Sequence, residues 1–182
     1  MSQNNYDILI VGALLRSDNH IRGLAKLLKT NQTTIARKVD GLHKQNIIDF
    51  KREGKNKVFF VKKTFEAKRY ACIVETHKLL RLLTRYPSLR RAVELIDKEG
   101  KVDLAILFGS YAKGTANRDS DIDIYVDTKD CKLKEKIALI DSRISVKIGV
   151  YDKDSLLIKE IEKDHVIIKG AERFYEKNKF FD

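Results

Sequence analysis

Over most of the first hundred residues, two short runs at 47–51 and 58–61 apart, apolar positions recur every three or four; beyond them they alternate or run together in short blocks. Residues 4–16 (NNYDILIVGALLR) predict a first helix, and Ile21, Leu24, Ala25 and Leu28 share one face of a second over 20–28. Thr30-Asn31-Gln32 interrupts the pattern. Thr33 or its neighbour then caps a third helix in which Ile35, Val39 and Leu42 point inward. Two strand-like runs, 47–51 and 58–61, flank a basic segment containing Gly54, the pattern of a hairpin. Residues 64–86 predict one long helix that ends before Pro87, the only proline. A further helix comes next, with Gly100 as its stop. Then Val102–Phe108, Asp121–Val126 and Ile144–Tyr151 read as strands, with helices over 133–140 and 155–163. Residues 165–175 fit either a short strand or a final helix.

This order predicts an α+β chain in three parts: a helical and hairpin domain over 1–63, a connector helix over 64–86, and a mixed-sheet domain over 87–182. Two short helices across a tight turn, followed by a hairpin, form a winged helix-turn-helix. In that respect residues 1–63 are similar to bacterial and archaeal transcriptional regulators of that broad class. Charge sharpens the picture. The formal net charge is +11, and residues 1–70 hold 15 Lys+Arg against 6 Asp+Glu. Such asymmetry fits a polyanion-binding module joined to a nearly neutral one, and equally a lysine-rich solvated surface. If the module reads DNA, Thr33, Thr34, Arg37 and Lys38 enter the major groove, and Arg52, Lys55 and Lys57 of the wing lie along phosphates. A homodimer on two half-sites is then expected; a protein-pairing role for the domain is the alternative. Two lone cysteines, Cys72 and Cys131, lack disulfide or zinc-site spacing, and no apolar run is long enough to cross a bilayer. The opening MSQNNYD has no basic n-region, so a cytoplasmic chain is expected.

Chemistry concentrates in residues 107–124, LFGSYAKGTANRDSDIDI. An apolar strand leads into Gly109-Ser110, whose backbone N–H groups and hydroxyl suit phosphate oxygens. After ten intervening residues come Asp121 and Asp123, two apart and so on the same side of a strand, about 7 Å apart. Paired carboxylates repel unless a cation lies between them, and Mg2+ is the natural partner. Alone, either element is commonplace, a turn or a solvated strand face. Together they resemble the minimal nucleotidyltransferases of the DNA polymerase beta superfamily. The resemblance implies metal-assisted transfer of a nucleoside monophosphate from a nucleoside triphosphate to an acceptor hydroxyl. In it Gly109 and Ser110 grip the triphosphate and Asp121 and Asp123 hold Mg2+, with Ser110, Asp121 and Asp123 as the catalytic set. Lys113 lies within phosphate reach, whereas Arg118 reads as an exposed loop cation.

One position departs from the family. A third carboxylate is usual on the next strand, yet in SVKIGV (145–150) the polar face presents Lys147. Lys147 can neutralise the aspartate pair or grip phosphate, but it cannot ligate a metal. Asp141 and Asp152 flank the strand off the expected register. Relatives of this minimal type act beside a helical toxin-like protein partner, adding AMP to it. A DNA-binding regulator that senses nucleotide without turning it over is the second expectation.

Overall fold

The computed structural model describes residues 5–182. By internal contacts the chain divides into Met1–Val74 with Lys179–Asp182, and Glu75–Asn178.

The first unit begins with α1 (Tyr6–Leu14), α2 (Ile21–Leu27) and α3 (Gln32–Lys44). Asn4, where the first helix was expected to begin, lies outside the described residues. The cap of α3 is Asn31 rather than Thr33: its side chain accepts from Thr34 N at 2.7 Å while its own backbone is extended. Lys29, at φ +51°, turns the chain between α2 and α3. Ile10, Val11, Leu24, Ile35, Val39 and Leu42 interlock as the core of the unit. Each removes an apolar side chain from water, a contribution of about 1.5–3 kcal/mol.

Strands β1 (Ile48–Glu53) and β2 (Asn56–Val61) pair antiparallel around a two-residue turn, with Gly54 at φ +59°. Asn19 adds a bridge to Phe59, so α2 is entered from the edge of the hairpin. Asn46, at φ +62°, ties the end of α3 to the residues that open the next helix, α4 (Phe65–Arg85). Its carbonyl accepts from Thr64 Oγ1 at 2.7 Å and its amide donates to Glu66 at 3.1 Å. Thr64 Oγ1 in turn accepts from Ala67 N in the first turn of α4. At the other end of the sequence, Phe181 packs against this same core, and Lys63 Nζ donates to the Asp182 carbonyl.

In the second unit a 3-10 turn (Pro87–Leu89) leads into α5 (Arg90–Lys98), followed by β3 (Ala105–Phe108), α6 (Gly109–Lys113) and β4 (Ile122–Asp127). Then come α7 (Cys131–Ala138), β5 (Ile144–Gly149), α8 (Leu156–Lys163), β6 (Val166–Lys169) and α9 (Ala171–Lys177). The tail thus holds both a strand and a helix. The sheet order is β5-β4-β3-β6, with β4 and β5 parallel and β3 antiparallel to β4 and β6. One face (Ala105, Leu107, Ile122, Ile124, Val126, Ile144, Val146) joins Val93 and Ile96 of α5 and Leu133 and Ile137 of α7 in a single apolar cluster. On the other face Tyr125 meets Tyr151, which meets Phe174 of α9.

Two expectations need correction here. Gly100, just past the Glu99 cap of α5, makes no left-handed turn; the Lys169 ammonium instead takes the carbonyls of Asp97 and Glu99 at 2.8 Å each. The first sheet strand is also shorter than its apolar run. A Cβ on Gly170 (φ +82°) would lie 1.9 Å from the Asp103 carbonyl oxygen, so the backbone around Gly170 crowds residues 103–104.

Candidate functional site

The strand-to-helix corner at Phe108–Gly109 fixes the motif. Phe108 ends β3 opposite Asp123 of β4, and Gly109 opens α6 at φ +70°. A Cβ at Gly109 would sit 2.5 Å from Asp123 Oδ2, so only glycine lets the turn lie against that carboxylate. Ser110 comes next, half-buried, its carbonyl accepting from Thr115 N at 3.0 Å. Asp123 alternates with Ile122 and Ile124, which fill the core. Asp121 stands just before the strand and is exposed.

Electrostatics join these groups. Burial pushes the Asp123 carboxyl above the usual carboxylate range, and the Asp121 charge pushes it further. The Lys147 ammonium opposes both. Lys147 is on β5 opposite Tyr125, one alternation beyond Ser145, the partner of Asp123. The structure therefore brings Gly109 against Asp123 at one end of β3 and β4, with Asp121 and, from within β5, Lys147 in electrostatic reach of that carboxylate.

Lys113 is engaged elsewhere, its ammonium 3.2 Å from Glu160 of α8. Arg118 is exposed. Asp141 is bound to Arg143 at 2.7 Å, which holds its carboxyl down to about 2, and Asp152 accepts from Asp154 N in a turn. Neither is a free third carboxylate.

The donor set suits a hard divalent cation only in part. Among the described residues no cluster of three or more His, Cys, Asp or Glu is placed to hold a metal ion. Two carboxylates that repel each other, one half-buried, fit an ion that takes its remaining ligands from triphosphate oxygens and water, the habit of Mg2+.

In the first unit, Thr33 and Arg37 are exposed on α3 and Thr34 is half-buried. Lys38 turns away to Asp7 of α1 at 2.9 Å, so it does not share the exposed side with Arg37. Arg52, Lys55 and Lys57 are exposed on the hairpin, with Arg52 and Lys57 directly opposite each other. Lys57 also lies over the Phe50 ring, 4.0 Å from its centroid.

From the sequence Arg85 reads as one of a basic stripe or a solvated helix face, and Arg143 carries no signal. A Cβ at Gly114 (φ +72°) would lie 2.9 Å from Arg85 Nη1, so Arg85 of α4 packs on the loop that closes α6. Arg143 holds the Arg118 carbonyl at 2.8 Å. Neither belongs to a motif; both depend on which loop the fold brings alongside.

Residues 91–179 match the family model described as Polymerase beta, Nucleotidyltransferase. A Methanocaldococcus jannaschii protein named as a protein adenylyltransferase is 43% identical over 53 residues. That match spans 28% of this chain and 54% of the relative. Among solved structures, the adhesin competence repressor of Streptococcus pyogenes gives a TM-score of 0.42 at 20% identity, covering 50% of this chain and 68% of its own. The transcriptional repressor BigR of Xylella fastidiosa gives 0.35 at 14% identity, covering 48% of this chain and 78% of its own. No helix among the described residues is long and apolar enough to cross a membrane. Over residues 91–179, then, the chain is similar to the polymerase beta nucleotidyltransferases.

Proposed function

We propose that residues 87–182 bind a nucleoside triphosphate with Mg2+ and transfer the nucleoside monophosphate to a hydroxyl, that residues 1–63 hold the chain on double-stranded DNA, and that the helix over 64–86 connects them. The observation that carries this reading is the packing of Gly109 against Asp123, with Asp121 and Lys147 beside it. In the transfer, the acceptor oxygen bonds to the α-phosphorus as the bond to pyrophosphate breaks, and the hydroxyl proton passes to solvent. Asp121 and Asp123 would hold the Mg2+, which when bound would supply charge neutralisation at the phosphates. Gly109 and Ser110 seat the phosphates, and Lys147 adds a fixed cation. The name of the archaeal relative supports ATP as donor and a protein hydroxyl as acceptor; a helical toxin-like protein is one such acceptor. The working form is a cytoplasmic homodimer, which presents two recognition helices to two half-sites.

Incubating the full chain with labelled ATP, Mg2+ and candidate acceptors tests this directly. Label should pass to an acceptor and be lost with Asp123→Asn; no labelled product with any nucleotide would sink the transfer.

A second reading has its own support. Lys147 occupies the strand face where a third carboxylate would activate the acceptor, and Asp141 and Asp152 are both engaged. On this reading the domain binds nucleotide without turnover and its occupancy alters DNA affinity. ATP that changes DNA binding with no product formed favours it.

A further inference from the structure

We propose that Arg143 is a positioning residue that fixes Asp121 by clamping the loop on either side of it; this rests on the proposed nucleotide site.

Asp121 needs such support. Its exposed side chain precedes β4, whose pairing with β5 begins only at Ile122 opposite Ile144. Arg143 reaches both flanks. Its Nη1 donates to the Arg118 carbonyl at 2.8 Å, and its own carbonyl accepts from Ile122 N at 2.9 Å. Nε and Nη2 are spent on Asp141, at 3.0 and 2.7 Å. The guanidinium is thus oriented by a carboxylate fork while a third N–H remains for the loop, a division a lysine ammonium cannot reproduce. The loop is tied internally as well. Asn117 Oδ1 accepts from Asp119 N and Ser120 Oγ, both at 3.0 Å, and Ser120 Oγ accepts from Asn117 N at 2.9 Å. The Arg143–Asp141 pair is about one-third exposed, so it adds little to global stability. Its effect is concentrated on where residues 118–122 run.

The test uses the full chain, with ATP as probe, measured calorimetrically over a range of Mg2+ concentrations and again in EDTA, alongside thermal unfolding. Arg143→Met should raise the Mg2+ concentration for half-maximal ATP binding about tenfold, the scale seen when an outer-shell partner of a metal ligand is lost. Metal-free ATP binding and the unfolding temperature should stay near wild type. Arg143→Lys, which keeps a cation at this position, should fall between and supplies a folded comparison if the Met variant unfolds. Wild-type Mg2+ dependence in both variants, with Asp121→Asn still losing it, overturns the clamp and leaves the site standing. An equal loss of ATP binding with and without metal also overturns it. If Asp121→Asn binds like wild type, the site reading itself fails, and the clamp with it.

Discussion

Lys147 reverses the charge at a position where the resemblance calls for an acid, beside a carboxylate already disfavoured by burial and by Asp121. Lys147→Asp should therefore make ATP binding more dependent on Mg2+, because a fixed cation is exchanged for an anion, and should raise or create transfer by restoring a base. Calorimetry across Mg2+ concentrations and the labelled-ATP assay read the two effects. If the wild type is already a fast transferase and this exchange changes nothing, Lys147 is not at the third-carboxylate position. Asp123 makes a second expectation. Its folded pKa is raised, so the native chain keeps that proton to higher pH than the unfolded chain does. As pH rises through the raised value stability falls, while the carboxylate becomes available to metal. Without metal, Asp123→Asn should thus raise the unfolding temperature at pH 7, and the gain should vanish in acid below the ordinary Asp range. Mg2+-dependent ATP binding by the wild type should weaken on acidification at a higher pH than an unperturbed aspartate would dictate. At this scale the meeting of Gly109 with Asp123 was legible because it follows chain spacing and strand register. Arg143 was not, since its partner is the carbonyl of Arg118, 25 residues earlier, and a carbonyl leaves no trace in residue type.

Elements were legible where one face carried the pattern. The spacing of Ile35, Val39 and Leu42 declared α3, and alternation through Ile122 and Ile124 declared β4. The start of α3 was displaced because Asn31 and Thr33 are both good caps, and only backbone geometry selects between them. Asn31→Ala should cost about 1 kcal/mol, and Thr33→Ala should leave stability nearly unchanged. Chemical denaturation of the two variants compares them directly; equal losses would assign the cap wrongly. Residues 165–175 defeated the pattern because a four-residue apolar strand and a seven-residue helix share that window, turned by Gly170 at φ +82°. The early part of β3 failed for a different reason: Val102 and Leu104 are buried like strand residues, yet the close approach of Gly170 ends the pairing.

For the whole molecule, the basic excess belongs to the first unit, where Arg37 on α3 and Arg52, Lys55 and Lys57 on the hairpin are exposed. Duplex DNA affinity should fall steeply and log-linearly with salt, with slope set by the phosphates contacted. Arg37→Ala should weaken binding by about 1–3 kcal/mol if it reads a base, and Lys55→Ala should chiefly flatten the salt slope. Fluorescence anisotropy at several salt concentrations separates these outcomes, and a flat response would remove groove docking by α3.

Half-buried Phe181 packs against the core that α1 and α3 begin, although more than a hundred residues of the other unit are translated between them. At about 5–20 residues per second, a ribosome exposes the three helices and the hairpin roughly 5–20 s before it delivers that ring. During this interval the first unit has every element but not its last packing partner, and Lys63 still lacks the carbonyl of Asp182. The contacts of Phe181 and Lys63 therefore form only after the second unit has been synthesised, and a premature stop within that unit removes them.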